Sequence, residues 1–201
     1  MRTLIINCYL PNSPQIEHLY KVVSDITTDV VEIKDASVIG IQEDVRLYNA
    51  IIISGSQQKL AEIGIFELYT NVAELIKTCE KPVLGICFGH QLIAKAFYED
   101  VVPMEQKIEG YYMVKRVNHD ELFESLGEKI LVMESHQEMV ANVPYEFIKL
   151  AESPNCPIEA IKHQTLPIYG VQFHPERYDD KHLAGGIILE NFFRIASWFI
   201  K

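Results

Sequence analysis

Basic residues, paired cysteines and long apolar runs are all scarce in this chain, and each shortage removes a class of function. Lys and Arg number 18 against 28 Asp and Glu, for a formal net charge of −10. Binding nucleic acid through its phosphates needs clustered Lys and Arg, so no nucleic-acid partner is expected. The four cysteines, at positions 8, 79, 87 and 156, never stand as CxxC. Zinc ribbons and thioredoxin-like redox pairs therefore lack support, and no metal ion is expected. No stretch is long enough and free enough of charge to span a bilayer, so no membrane partner is expected. The opening run MRTLIINCYLPNSP has no cleavage pattern and reads as a first strand. A soluble, cytoplasmic protein with reduced thiols is the expectation. GxxxxGK and SGGxDS-like loops are also missing, so no cofactor is expected on this chain, and ATP chemistry would have to come from another one.

What is present suits a packed core. The 201 residues are 48% hydrophobic, and no repeat, low-complexity tract or linker divides them. One domain over residues 1–201 is expected. In the first half, strand-like runs at 2–8, 29–34, 49–54 and 82–87 alternate with helical stripes. Ile16, Leu19, Tyr20, Val23 and Ile26 recur at helical spacing, as do Phe66, Tyr69, Val72, Ala73 and Ile76. The run NAIIIS at 49–54 is almost wholly apolar, as a strand covered on both faces should be. The order βαββαβα predicts an α/β fold with a mostly parallel central sheet and helices on both faces. Short strand candidates at 111–117, 129–134, 147–153, 158–162 and 168–173 then follow at close intervals. They either extend the main sheet or form a small antiparallel one. A helix over 183–200 closes the chain.

Gly85-Ile86-Cys87-Phe88-Gly89 is the informative stretch. It is GxCxG, the thiol version of the GxSxG elbow that exposes a nucleophile between a strand and a helix. Positions two before and two after the nucleophile are crowded and lack side chains. The helix that follows, over 88–97, points its N-terminal N–H groups toward the sulfur and favours thiolate, the form that attacks. The N–H of Phe88 is free to bind an oxyanion. Buried, inert cysteines are common, but the strand-before, helix-after context favours catalysis.

A thiol nucleophile needs a base, and the base an orienter. His174 and Glu176 lie in Gly170-Val171-Gln172-Phe173-His174-Pro175-Glu176, after a strand. Pro175 biases His174 toward an extended backbone. Extended residues two apart face the same side, so the carboxylate can fix the imidazole tautomer. His90 is expected to pack near the site. His136, in Glu134-Ser135-His136-Gln137-Glu138, follows a strand and either lines the pocket or sits in a surface loop. His18 and His182 are expected on helix surfaces, and His119 and His163 in or beside turns.

These stretches resemble the class I glutamine amidotransferases, and within them the separate glutaminase subunits of GMP synthases. The resemblance rests on PVLGICFGHQLIAKAF at 82–97, ESHQE at 134–138, CPIEAIKH at 156–163 and PIYGVQFHPE at 167–176. It implies a flavodoxin-like fold with extra antiparallel strands. It implies that Cys87 attacks the side-chain amide of glutamine, with His174 as base and Glu176 as orienter. Phe88 and a backbone N–H at Gly55 or Ser56 would form the oxyanion hole. Gln91 and the turn Ser135-His136-Gln137 would bind glutamine. Ammonia would pass to an ATP-pyrophosphatase synthetase subunit, which carries ATP and Mg and activates xanthosine monophosphate.

The chain departs from the family pattern in three places. The loop that usually reads SGGPxS is Ser54-Gly55-Ser56-Gln57-Gln58; INCYLPNSP lacks the usual continuation of the first strand; and Arg177 follows HPE. A side chain at Ser56 restricts the loop, which predicts an oxyanion hole completed only when a partner docks. Two other readings stay open: a stand-alone hydrolase of glutamine or γ-glutamyl compounds, and a catalytically silent regulatory relative.

Overall fold

Strand residues that alternate between two apolar faces need helices on both, and the sheet is built that way. The computed structural model describes residues 2–27, 30–39 and 45–199. Its first half runs β1 (Arg2–Asn7), α1 (Pro14–Ile26), β2 (Val30–Asp35), β3 (Ala50–Ile53), α2 (Thr70–Thr78), β4 (Val83–Ile86) and α3 (Phe88–Ala96). Leu4, Ile6, Ile51 and Ile53 join a core with Val72 and Ile76 of α2 and Leu92 of α3. Ile5, Ile52, Leu84 and Ile86 face the other way, onto Leu19 and Val23 of α1 and Phe192 of the last helix. All of β3 is buried, as its unbroken apolar run requires.

The second half contains β5 (Val101–Arg116), β6 (Lys129–Val140), β7 (Phe147–Glu152), β8 (Ala160–His163), β9 (Ile168–Val171) and α4 (Ala184–Ser197). Its strands do not form a separate sheet. All nine strands make one mixed sheet in the order β2-β1-β3-β4-β9-β8-β7-β5-β6. The pairings from β2 to β9 are parallel, and those from β9 to β6 antiparallel. Thus β9, late in sequence, lies beside β4.

Several boundaries differ from the sequence reading, for physical reasons. The stripe over 66–79 begins as a 3-10 turn, Phe66–Tyr69, before α2. Buried Tyr69 anchors the junction: its ring meets Phe88 edge-on, with centroids 4.9 Å apart, and its hydroxyl lies 3.3 Å from the Cys8 carbonyl. β5 starts ten residues before the predicted 111. Its early part carries Pro103 and several exposed polar residues, and its register slips between Pro103 and Ile108, so the apolar alternation is hidden. β6 runs on past Glu134, which makes Ser135-His136-Gln137 part of a strand and not a turn. Asp29, at the start of the second strand candidate, and Ile200, at the end of the last helix candidate, lie outside the described residues. Among the described residues, no helix is long and apolar enough to cross a membrane.

Candidate active site

Adjacent parallel strands deliver the reactive groups to one end of the sheet. Gly85 and Ile86 of β4 pair with Gly170 and Val171 of β9, and the Cys87 N–H donates to the Val171 carbonyl at 2.8 Å. Cys87 therefore leaves β4 beside the point where the chain leaves β9 toward His174. The loop after β3, at 54–58, flanks the other side, and the end of β1 supplies Cys8 and Tyr9. This is the carboxyl edge where open α/β sheets place their ligands.

Cys87 sits at the N-cap of α3 with φ 50° and ψ −99°, a conformation L-residues rarely adopt. The flanking glycines make the turn possible by close approach. A β-carbon on Gly85 would lie 2.5 Å from the Gly89 carbonyl, and one on Gly89 would collide with the Ile53 carbonyl oxygen. The sulfur lies 3.9 Å from the Ser135 carbonyl, and the Gln172 amide approaches it at 3.6 Å.

His174 and Glu176 meet as predicted: Nδ1 lies 2.7 Å from Oε1. The cause is different, however. β9 ends at Val171, and Pro175–Arg177 is a 3-10 turn, so a turn and not an extended strand brings the two side chains together. The His174 N–H donates to the Met133 carbonyl of β6 at 2.8 Å, which fixes the backbone. With Nδ1 committed to Glu176, Nε2 is the nitrogen free for chemistry. Burial opposes charge on His174, but Glu176 and the neighbouring Cys87 more than offset it and raise the imidazole to about 10. Burial likewise opposes charge on Glu176, and the His174 cation holds its carboxyl below the ordinary range.

A cavity of about 340 Å³ opens over the sulfur. Cys87, Phe88, Ser56, Gln91, Ser135, His136, Gln137 and His174 line it, while Gly55 and Glu176 stand behind the wall. Gln91 already spends its amide on the Glu138 carbonyl (3.0 Å) and Gln172 Oε1 (3.1 Å). It thereby ties α3 to β6 and to the residue facing the sulfur. The Ser54 hydroxyl accepts from the Cys8 N–H at 2.8 Å and donates to the Gly55 carbonyl at 2.9 Å, holding the Gly55–Ser56 peptide in one orientation.

Two of the chain's departures from the family pattern prove to be one structural unit. Gln57 Oε1 accepts from the Leu10 N–H at 3.1 Å, and Gln57 Nε2 donates to Ser13 Oγ at 2.9 Å. Gln58 Oε1 accepts from the Tyr69 hydroxyl. The altered first-strand continuation and the altered 54–58 loop thus hold each other in place.

Sequence reasoning missed Tyr9 and Gln172. Gln172 was legible, since it stands two before His174 on the same run. Tyr9 carried no signal. Its buried hydroxyl lines the cavity beside the Arg177 guanidinium and would meet a β-carbon on Gly55 at 2.8 Å. Burial, then the charges of Glu176 and Cys87, raise its pKa, so it stays a donor. The other histidines largely match expectation. His90 is buried on α3 near the Ile158 and Gly170 backbone, and burial lowers it to about 3. His18 is exposed on α1, with Nε2 2.9 Å from the Glu176 carbonyl. His182 is not on a helix: it precedes α4 and stacks on Tyr111, with ring centroids 3.8 Å apart.

Behind His136 lies a buried acidic group. Glu134, His136 and Glu159 offer ligand atoms within 4.8 Å of one another, close enough to face one cation, and all three are buried. Burial raises Glu134 to about 7 and Glu159 well above the carboxylate range.

Residues 4–196 match the family model described as glutamine amidotransferase class-I. The chain is 46% identical to a glutamine-hydrolyzing GMP synthase subunit of Pyrococcus furiosus over 116 residues, which span 58% of this chain and 61% of that protein. It is 36% identical to the protein of the same name from Archaeoglobus fulgidus over 190 residues, covering 92% and 96% of the two chains. Among solved structures, a candidate GMP synthase subunit from Thermoplasma acidophilum superposes with a TM-score of 0.86 at 25% identity, covering 99% of this chain and 95% of that one.

Proposed function

This chain belongs to the class I glutamine amidotransferases, and from that premise we propose that it is a glutaminase subunit that feeds ammonia to a separate ATP-dependent synthetase, with xanthosine monophosphate as acceptor. The observation that carries the reading is the juxtaposition of Cys87 with a buried, charged His174–Glu176 pair at the ends of neighbouring strands. The relatives' names support the synthetase and the acceptor. The continuous sheet supports treating residues 1–201 as one domain.

In this reading Cys87 Sγ attacks the amide carbon of glutamine. The carbonyl oxygen takes negative charge and is met by the Phe88 N–H and by the N–H of Gly55 or Ser56. His174 Nε2 protonates the departing ammonia, and a γ-glutamyl thioester remains. His174 then takes a proton from water as the water attacks the thioester, and glutamate leaves with the thiol restored. Glu176 keeps Nδ1 protonated throughout. Gln137 and the Ser135 backbone bind the glutamine.

From the departure at Ser56 we infer that the partner controls the loop. Ser54 pins the Gly55 carbonyl in the resting chain, so reorienting this peptide costs a hydrogen bond that docking must replace. Loss of one oxyanion donor typically costs about 10²–10³ in rate, and partner binding is expected to restore roughly that factor. The test is steady-state glutamine hydrolysis with and without a candidate GMP synthetase subunit, xanthosine monophosphate, ATP and Mg. Stimulation supports the reading. Full turnover by the chain alone, unchanged by the partner, replaces it with a stand-alone hydrolase, and no turnover under any condition leaves the silent relative.

A further inference from the structure

His136 Nδ1 lies 2.9 Å from the Glu138 carbonyl, an acceptor only, so Nδ1 carries a proton; burial favours the neutral ring, which leaves Nε2 a lone pair. That lone pair faces Glu134 Oε2 at 3.1 Å, and Glu134 in turn faces Glu159. Glu134 and Glu159 are each 1% exposed. As ionised groups they would leave Glu134 Oε1 and Oε2, Glu159 Oε2 and His136 Nε2 all without a donor. Two buried carboxylates facing each other and a lone pair are strongly disfavoured unless protons or a bound cation lie between them. The cations that could offset them are few: His174 acts on Glu134 from the next loop, while His90 on α3 is held neutral by burial, and Cys156 lies nearby as a thiol.

The strand that holds this group also builds the cavity wall. Ser135, between Glu134 and His136, points its carbonyl at the Cys87 sulfur, and the Met133 carbonyl accepts from the His174 N–H. The Gln172 N–H donates to the Glu159 carbonyl at 2.8 Å. The network therefore touches the backbone of both catalytic loops from behind.

Resting on the glutaminase reading, we propose that Glu134 and Glu159 hold shared protons, donating from Glu159 to Glu134 and from Glu134 to His136 Nε2, and that this pair is a positioning unit that sets the Ser135–Gln137 segment for glutamine. When Glu134 loses its proton, its carboxylate repels the His136 lone pair, the segment shifts, and glutamine binds less tightly.

The test compares wild type, Glu134→Gln, Glu159→Gln and Glu134→Ala, measuring glutamine KM and kcat across pH, stimulated by the synthetase subunit where that is required. Carboxylic-acid infrared bands at neutral pH are recorded on the same samples. In wild type, KM is expected to rise as pH passes about 7. In Glu134→Gln, whose amide donates permanently to His136, KM stays flat at its low-pH value. Glu134→Ala, with one hydrogen bond lost, raises KM about tenfold at every pH. Protonated-carboxyl bands should be present in wild type and weakened in both Gln variants. Thermal stability adds a check. A raised carboxyl pKa removes stability as pH climbs from the ordinary carboxylate range to about 7, so Glu134→Gln should gain on wild type across that window. An unchanged KM profile in Glu134→Gln, no carboxylic-acid band in wild type, or a stoichiometric divalent cation in the purified protein overturns the proposal. If wild type hydrolyses no glutamine even with its partner, the glutaminase reading falls, and the infrared bands still decide the protonation.

Discussion

Gly85 and Gly89 meet across the Cys87 turn with no room for a methyl group: a β-carbon on Gly85 would lie 2.5 Å from Gly89 backbone atoms and 2.6 Å from Ile93 Cδ1. Gly85→Ala and Gly89→Ala should each destabilise the protein by about 1–3 kcal/mol, the usual cost of overpacking. Because backbone and not a flexible side chain is in the way, Cys87 must move, and labelling by an electrophilic glutamine analogue should slow more than thermal stability alone explains. Chemical denaturation alongside labelling kinetics checks this. Normal labelling in a destabilised variant would mean that the turn tolerates displacement.

Cys87 should react first among the four thiols. Burial raises Cys8, Cys79 and Cys156 above the ordinary thiol range. Cys87 alone among them lines the cavity. Peptide mapping after substoichiometric labelling should find the adduct at Cys87, and Cys87→Ala should lose about 10⁵–10⁶ of the rate with its fold intact. Modification of another cysteine first would contradict the elbow.

The His174–Glu176 pair should show its coupling in a titration. In the folded chain, His174 should remain charged until about pH 10. The sign follows: stability from this pair is full below the ordinary histidine pKa and is lost as pH rises through about 10. Glu176→Gln removes the main raising charge, so the imidazole should titrate at lower pH by NMR. Activity should fall about 10²–10⁴, less than for His174→Ala, which loses the proton carrier itself. Equal, negligible losses in both variants would reject the assignment.

Tyr9→Phe is expected to separate stability from function. The hydroxyl is buried beside the Arg177 guanidinium without a well-formed hydrogen bond, so its removal should change stability by no more than about 1 kcal/mol. A bound substrate would supply the missing acceptor, and turnover of glutamine should fall about tenfold. A variant as active as wild type would show that the hydroxyl has no acceptor in the complex.

Much of this was legible because local patterns carried it. The apolar runs of β1, β3 and β4 marked a buried parallel sheet, and GxCxG marked the turn that only glycines allow. The His174–Glu176 contact was legible for a partly wrong reason: spacing predicted it, but a 3-10 turn makes it. The antiparallel half was less legible. β5 hides its alternation behind Pro103 and a register slip, and β6 passes through Ser135, His136 and Gln137, whose polarity looked like a turn. Those residues are in the strand because the cavity needs polar groups there. Tyr9 could not be found at all, since its role depends on the distant loop at Gly55. The odd sequences at 8–13 and 54–58 made sense only together, through Gln57.

The place of β9 beside β4 has a consequence during synthesis. While the ribosome has made only the first half of the chain, the elbow can form but has no histidine opposite it, so a nascent thiol cannot spend glutamine. For the same interval, Val83–Ile86 is an uncovered apolar edge, open to any other strand that reaches it. Its proper neighbour is separated from it by four intervening strands, a long loop to close late. The step that brings His174 opposite Cys87 is therefore the same step that covers this edge.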